Sequence, residues 1–116
     1  MLNTYHVLLD LKEIDKNICS DDTFILKILI NSAKSINANI ISYSRYRFGH
    51  NSPEGCTVFV MLDESHISAH TYADKGKISI DVFTCNGREK CESAAAYIID
   101  KFQTSNFSIK TVERFT

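Results

Sequence analysis

A serine hydroxyl, two imidazoles and a thiol lie within a short stretch of this sequence. Ser65, His66 and His70 occupy one run, and Cys85 follows 20 residues after Ser65. A hydroxyl can attack a neighbouring carbonyl, an imidazole can move a proton, and a thiol can donate one. Held at the ends of neighbouring strands, these groups could form a self-processing and acid–base site.

Strands are the elements that must position these groups. Residues 57–62 form a continuous apolar run, and residues 78–84 alternate apolar and polar side chains, which are two patterns typical of strands. The full set of predicted strands is 4–11, 40–48, 57–62, 66–72, 78–84 and 107–114.

Two helices are predicted, one on each side of the four central strands in the chain. Ser20, Asp21 and Asp22 offer an N-cap and a negatively charged first turn, and apolar residues recur at helical spacing up to about Asn37. The second helix is predicted over 92–102, where alanines and isoleucines share one face.

The resulting order, β-α-β-β-β-β-α-β, favours an α+β fold. It predicts a two-layer sandwich in which one antiparallel sheet carries both helices on one face. A sheet whose other face is uncovered usually finds a partner, and two such sheets stacked face to face would bury that surface. We therefore expect a twofold homodimer.

Length and charge restrict the class of protein. The chain has 116 residues, 44% of them hydrophobic, so we expect a single domain over 1–116 with one two-layer core. The formal net charge of −1 argues against a nucleic-acid partner, which needs a dense basic face. Arg45, Arg47 and His50 are the one local basic cluster, and we interpret them as part of a solvated loop.

The sequence carries no targeting or membrane signal. The first residues lack the basic start and apolar run of a signal peptide. No apolar stretch approaches the roughly 18 residues of a spanning helix. We therefore expect a cytoplasmic protein with no membrane partner.

The four cysteines do not predict a metal site. Cys19, Cys56, Cys85 and Cys91 form no Cys-x-x-Cys pair, and no histidine pair has zinc-finger spacing. In a reducing compartment all four are expected to be free thiols, and three of them to be small apolar side chains. Cys85 is considered separately because of the residues Asp81-Val82-Phe83-Thr84 that precede it.

The residues around Ser65 and Cys85 resemble those of the prokaryotic S-adenosylmethionine decarboxylases. Three motifs carry the similarity: Glu64-Ser65-His66, His70-Thr71 and Asp81-Val82-Phe83-Thr84-Cys85. Residues 6–11 are also similar to the first strand of that family. The resemblance covers most of the chain and is strongest over 57–85.

This resemblance implies a proenzyme that makes its own pyruvoyl cofactor. The family cuts the bond that here is Glu64–Ser65, which would give fragments 1–64 and 65–116 and a pyruvoyl group derived from the serine. The hydroxyl attacks the preceding carbonyl, usually in a strained turn, before elimination and hydrolysis. The pyruvoyl carbonyl then forms a Schiff base with the substrate amine and accepts the electrons released as CO2 leaves.

The resemblance also implies roles for three other residues. His70 would assist cleavage, and Thr57 would supply a hydroxyl at a position where the family has serine. Cys85 would be the proton donor, for which a thiol of near-neutral pKa is suited. In an unbroken strand Ser65 and His70 point to opposite faces, so we expect a bulge, or the break at Ser65, to re-aim one of them.

Phe48 and Asp74 are the implied substrate-binding residues. Phe48 would stack on adenine, and Asp74 would bind the ribose hydroxyls where the family often has the glutamate of His-Thr-Trp-Pro-Glu. The Trp and Pro of that motif are replaced here by Tyr72 and Ala73. The implied reaction is decarboxylation of S-adenosylmethionine for polyamine synthesis. Pyruvoyl-dependent decarboxylation of arginine or ornithine, and an unprocessed regulatory paralogue, are the alternatives.

Overall fold

The computed structural model describes residues 3–115, whose strands form one antiparallel sheet. The strands are β1 (Thr4–Leu11), β2 (Ile40–Phe48), β3 (Gly55–Leu62), β4 (His66–Tyr72), β5 (Lys77–Thr84) and β6 (Phe107–Arg114). Within the described residues the sheet has six strands in the order β2-β3-β4-β5-β1-β6. The prediction of an α+β sandwich is confirmed.

The helices of residues 3–115 are α1 (Lys16–Cys19), α2 (Asp22–Ser35) and α3 (Arg88–Phe102), with a 3-10 turn at Ala73–Lys75. The two long helices are those predicted, and the Asp21 side chain caps α2 by accepting from the Phe24 N–H at 3.0 Å. α3 begins before the predicted residue 92, because its first three residues, Arg88, Glu89 and Lys90, are charged and show no apolar period. α1 was not predicted, since four residues are too few to show a helical period. Among the described residues no helix is both long and apolar enough to cross a membrane.

The core lies between the sheet and the two long helices. Alternate strand residues point to this side and are fully buried, among them Val7, Leu9, Val58, Val60, Ile80 and Val82. They pack with buried residues of α2 and α3 in one hydrophobic cluster. Small residues let the two helices approach each other, and the Ser32 hydroxyl of α2 donates to the Ala94 carbonyl of α3 at 2.8 Å.

On the opposite side of the sheet no helix of residues 3–115 is packed, and we call this side the open face. It carries the other alternate residues of the central strands: Leu8, Asp10, Thr57, Phe59, Met61, His66, Ser68, His70, Ser79, Asp81 and Phe83. Leu8 remains 39% exposed and Met61 44% exposed. The open face is therefore partly apolar and uncovered.

An aromatic stack crosses the open face. The His66 ring lies between those of Phe59 and Phe83, with ring centroids 5.3 Å and 5.5 Å away. The His6 ring meets the rings of both His66 and Phe83 edge-on. Burial, and secondarily the neighbouring His6, lowers the pKa of His66, so this imidazole is neutral at neutral pH.

Candidate active site

Ser65 lies at the end of the hairpin between β3 and β4, beside Cys85, which directly follows β5. The pairing of His66 with Phe83 brings these two residues together. The Cys85 backbone N–H donates to Ser65 Oγ at 3.3 Å, and Cys85 Sγ lies 3.9 Å from the same oxygen. The residue expected to be cleaved and the expected proton donor are therefore neighbours.

Hydrogen bonds close the turn that precedes Ser65. The Leu62 N–H donates to the Ser65 carbonyl at 2.9 Å, and the Asp63 N–H donates to the Asn39 carbonyl at 3.2 Å. The sequence predicted a strained turn here. The non-glycine residues with positive φ in the described chain are Glu13, Asn37, Gln103 and Phe115, none of which belongs to the turn. The turn before Ser65 is thus closed by hydrogen bonds of Leu62 and Asp63, without a left-handed residue.

Glu64 contacts Cys85, a contact that the sequence did not predict. The Cys85 thiol donates to Glu64 Oε2 at 3.1 Å. Burial and then this hydrogen bond raise the pKa of Cys85 above its ordinary value. The structure therefore corrects the expectation of a near-neutral thiol: at neutral pH Cys85 is protonated, which is the form that can donate a proton.

A polar cavity of about 290 Å³ opens beside these groups. Glu64, Ser65 and Cys85 line it together with three amide side chains, Asn37, Asn39 and Asn86. The Asn86 N–H donates to the buried Thr84 hydroxyl at 3.1 Å, which fixes the turn after β5. A small polar molecule could reach Ser65 through this cavity.

Thr57 and His70 form a second group on the open face. They are paired across β3 and β4, and Thr57 Oγ1 shares a hydrogen bond of 3.2 Å with His70 Nδ1. The His70 side chain is exposed to solvent. The two residues expected to assist cleavage therefore contact each other.

The structure separates Ser65 from His70 within one chain. Their positions are five residues apart along an extended chain, which is about 16 Å at the usual rise of a strand. The pairing of β3 with β4 runs without a register shift from His66 to His70, so no bulge turns His70 towards Ser65. Ser65 itself precedes the first residue of β4. One protomer thus brings Ser65 together with Cys85, and Thr57 together with His70, as two distinct groups.

Phe48 and Asp74 line a common cavity of about 250 Å³ at the same end of the sheet as His70. The Phe48 ring lies directly against Gly55. A Cβ at residue 55 would come within 2.4 Å of the Thr71 carbonyl oxygen and 2.7 Å of that ring. Only glycine permits this close approach, so Gly55 fixes the place of the Phe48 ring.

The other cysteines are remote from this chemistry. All four thiols are free, and Cys19, Cys56 and Cys91 are buried. Burial is the main cause that raises the pKa values of Cys19 and Cys91 to about 11. Within residues 3–115, no three His, Cys, Asp or Glu side chains are grouped so that they could hold a metal ion.

Comparisons with known proteins agree on one family. The family described as S-adenosylmethionine decarboxylase matches residues 5–115. The S-adenosylmethionine decarboxylase proenzyme of Thermodesulfovibrio yellowstonii is 38% identical over 109 residues, which are 94% of this chain and 78% of that protein. The proenzyme of the same name from Pyrobaculum islandicum is 36% identical over 98 residues, 84% of this chain and 77% of that protein.

A solved structure extends the likeness to the fold. The crystal structure of the adenosylmethionine decarboxylase from Aquifex aeolicus has a TM-score of 0.86 and 31% sequence identity to this chain. The match covers 97% of this chain and 91% of that one. The sheet, the position of Ser65 beside Cys85 and these matches lead to one conclusion: the chain belongs to the S-adenosylmethionine decarboxylase family.

Proposed function

We propose that this chain is a self-cleaving, pyruvoyl-dependent decarboxylase of S-adenosylmethionine that supplies the aminopropyl donor for polyamine synthesis. The observation that carries the proposal is the contact of Ser65 with Cys85 at the turn that would be cut. The names of the relatives support the choice of substrate.

Cleavage at Glu64–Ser65 would produce chains 1–64 and 65–116. The Ser65 oxygen forms a bond to the Glu64 carbonyl carbon while the C–N bond of that peptide breaks, which turns the amide into an ester. Elimination then releases Glu64 as a terminal carboxylate, and hydrolysis with loss of ammonia leaves the pyruvoyl group at residue 65. The Cys85 N–H is placed to hold the Ser65 oxygen before it attacks.

The surroundings of residue 65 fit a pyruvoyl group, because the Cys85 N–H and the amides of the neighbouring cavity offer hydrogen-bond donors. Once formed, that group binds the substrate amine and accepts the electrons released by the loss of CO2. Cys85, as a protonated thiol, donates a proton to the carbon that has lost CO2.

A complete site needs two copies of the chain. Ser65 lies in the turn beyond one end of the sheet, and His70 and Thr57 lie on the open face nearer the other end. If two open faces stack about a twofold axis that crosses the strands near Ser68, His70 and Thr57 of one protomer approach Ser65 of the partner subunit. The same arrangement would bury Leu8, which is exposed in the single chain.

Substrate recognition follows from the same arrangement. Phe48 and Asp74 lie at the His70 end of the sheet, so the twofold axis would also carry them to the partner's Ser65. The Phe48 ring would stack on the adenine and face the cationic sulfonium, and the Asp74 carboxylate would accept hydrogen bonds from the ribose hydroxyls.

We place the protein in the cytoplasm. Its four cysteines are free thiols, and free thiols persist in a reducing compartment. A proton donor that must remain a thiol, as Cys85 must, suits that environment.

Intact-mass spectrometry of the purified protein tests the proposal. We expect two fragments, 1–64 and 65–116, with a pyruvoyl group in place of Ser65 at the start of the second. Ser65→Ala should stay whole. A single full-length mass after long incubation under reducing conditions would reject the pyruvoyl enzyme and favour an unprocessed paralogue.

A further inference from the structure

The Glu64 side chain contacts the same residue as Ser65 but has no part in the reactions described above. Its Oε2 atom accepts the Cys85 thiol proton at 3.1 Å, which is shorter than the 3.9 Å between Ser65 Oγ and Cys85 Sγ. An ionised carboxylate can only accept hydrogen bonds. This contact therefore requires that the thiol keeps its proton.

A second charged group in the cavity beside Cys85 is also negative. Asp63 lines the same cavity, but its carboxylate is engaged by the Asn39 amide at 3.0 Å. The remaining polar side chains of the cavity are neutral amides or the Ser65 hydroxyl, and its described lining includes no Lys, Arg or His. Reactive thiolates are usually stabilised by a neighbouring positive charge. The surroundings of Cys85 have the opposite sign.

We propose that Glu64 is a positioning residue that keeps Cys85 protonated and directs its thiol to the reacting carbon beside residue 65. The inference rests on the proposed function and adds a role for a side chain on the other fragment. During turnover the S–H bond breaks, its proton goes to the carbon that lost CO2, and the electron pair stays on sulfur as a thiolate. The adjacent Glu64 carboxylate destabilises that thiolate, so it makes the thiol a weaker acid but favours its reprotonation before the next turnover.

The location of Glu64 strengthens this role after cleavage. Cleavage would make Glu64 the last residue of fragment 1–64, so a new α-carboxylate would appear next to its side chain. The first fragment would then act on the proton donor of the second one. Cleavage would thus strengthen the negative surroundings of Cys85 at the moment when the enzyme becomes active.

Thiol ionisation in uncleaved protein tests the inference without relying on turnover. In the Ser65→Ala background, the rate of alkylation of Cys85 by iodoacetamide is measured against pH, with the modified peptide quantified by mass spectrometry. The buried cysteines serve as internal references. Adding Glu64→Gln should lower the pKa of Cys85 and speed its alkylation at neutral pH. Below that pKa, each unit of decrease raises the thiolate fraction about tenfold.

Asp63→Asn in the same background is the matched control, because it also removes one negative charge from the cavity. We expect it to leave the alkylation profile of Cys85 nearly unchanged, since Asp63 does not contact the thiol. Identical profiles for Ser65→Ala with and without Glu64→Gln would overturn the inference. An equal shift in the pKa of Cys85 with Asp63→Asn would also overturn the inference, since the loss of any negative charge from the cavity would then explain the result. If the chain is not cleaved at Ser65, the proposed function is rejected, but the effect of Glu64 on Cys85 in uncleaved protein can still be measured.

Discussion

The backbone amide of Cys85, and not its thiol, is the donor that holds the Ser65 hydroxyl. The amide nitrogen lies 3.3 Å from Ser65 Oγ, whereas Sγ lies 3.9 Å away and donates to Glu64. A substitution that changes only the side chain at 85 keeps the amide. Cleavage and turnover can therefore be separated at this residue.

Cys85→Ala should still cleave at Ser65 but lose most of its decarboxylation. General acid catalysis contributes typically about 100- to 10,000-fold, and a loss in that range is expected. Fragment masses report cleavage, and CO2 release per cleaved chain reports turnover. Unchanged turnover in a fully cleaved Cys85→Ala protein would remove Cys85 from the mechanism.

The pH profile gives a second prediction for the same residue. Because burial and Glu64 raise the pKa of Cys85, the thiol stays protonated across neutral pH and loses its proton only above its ordinary pKa of 9.0. Decarboxylation by cleaved enzyme should therefore fall on the alkaline side of that value. The prediction would be contradicted if kcat declined below pH 9.0 and alkylation showed that Cys85 loses its proton over the same pH range.

Asp74→Asn tests the assignment of the substrate. Losing a hydrogen bond to a charged acceptor costs roughly 1.5–3 kcal/mol, or about one to two decades in kcat/KM. We expect a raised KM for S-adenosylmethionine and normal cleavage, while Asp100→Asn, an exposed carboxylate on α3, changes neither. CO2 release is measured from S-adenosylmethionine, arginine and ornithine side by side. Release from a free amino acid alone would keep the pyruvoyl chemistry and reject our substrate.

Among the elements, the pairing of β4 with β5 determines the site. It sets His66 opposite Phe83, and this same register creates both the contact of Ser65 with Cys85 and the aromatic stack on the open face. The stack encloses a neutral imidazole. Protonating His66 would place a charge in a half-buried position beside His6, so acid should weaken the fold at this point.

The expected direction follows from proton linkage. The pKa of His66 is lower in the folded chain than its ordinary value of 6.5, so the unfolded chain binds the proton more readily. This contribution to stability is present above pH 6.5 and is lost as the pH falls towards the folded-state pKa. Urea unfolding of uncleaved Ser65→Ala protein, with and without His66→Phe, measures the free energy of unfolding. The measurement is made above pH 6.5 and again at a pH close to the folded-state pKa of His66. The variant should lose less stability in acid, and an equal loss in both proteins would contradict the prediction.

The sequence predicted these elements well because their patterns are local. Alternation in residues 78–84 and helical spacing in α2 are visible without knowledge of the partners. The contact of Glu64 with Cys85 depends on which strands pair, which no local pattern reveals. Ser65 and His70 show the reverse relation between sequence and space. They are close in sequence but lie far apart because the strand between them is extended. Motif spacing alone suggested a single cluster where the structure has two groups.

For the whole molecule, this separation predicts complementation between two inactive chains. His70→Ala should cleave slowly or not at all, and Ser65→Ala cannot cleave. In a mixed dimer, the intact Ser65 of the first chain would meet the intact His70 of the second, so one of the two sites recovers. Co-expression with different tags and mass analysis of the mixed species should show cleavage of the His70→Ala chain only.

A doubly changed partner is the control for this experiment. A chain with both Ser65→Ala and His70→Ala offers no His70, so it should not rescue the His70→Ala chain. Equal cleavage with both partners, or none with either, would show that His70 does not act across a twofold axis on its partner.

The strand order also determines how the two fragments stay associated and refold after cleavage. Fragment 1–64 would hold β1, β2 and β3, but β1 lies between β5 and β6 of the other fragment. Separating the fragments would break three strand pairings at once, so the native nicked protein should stay together. After denaturation, however, refolding requires two separate chains to associate. The peptide bond that kept them at a high effective concentration is no longer present. Maturation would thus convert a protein that can refold by itself into one whose persistence depends on how slowly it unfolds.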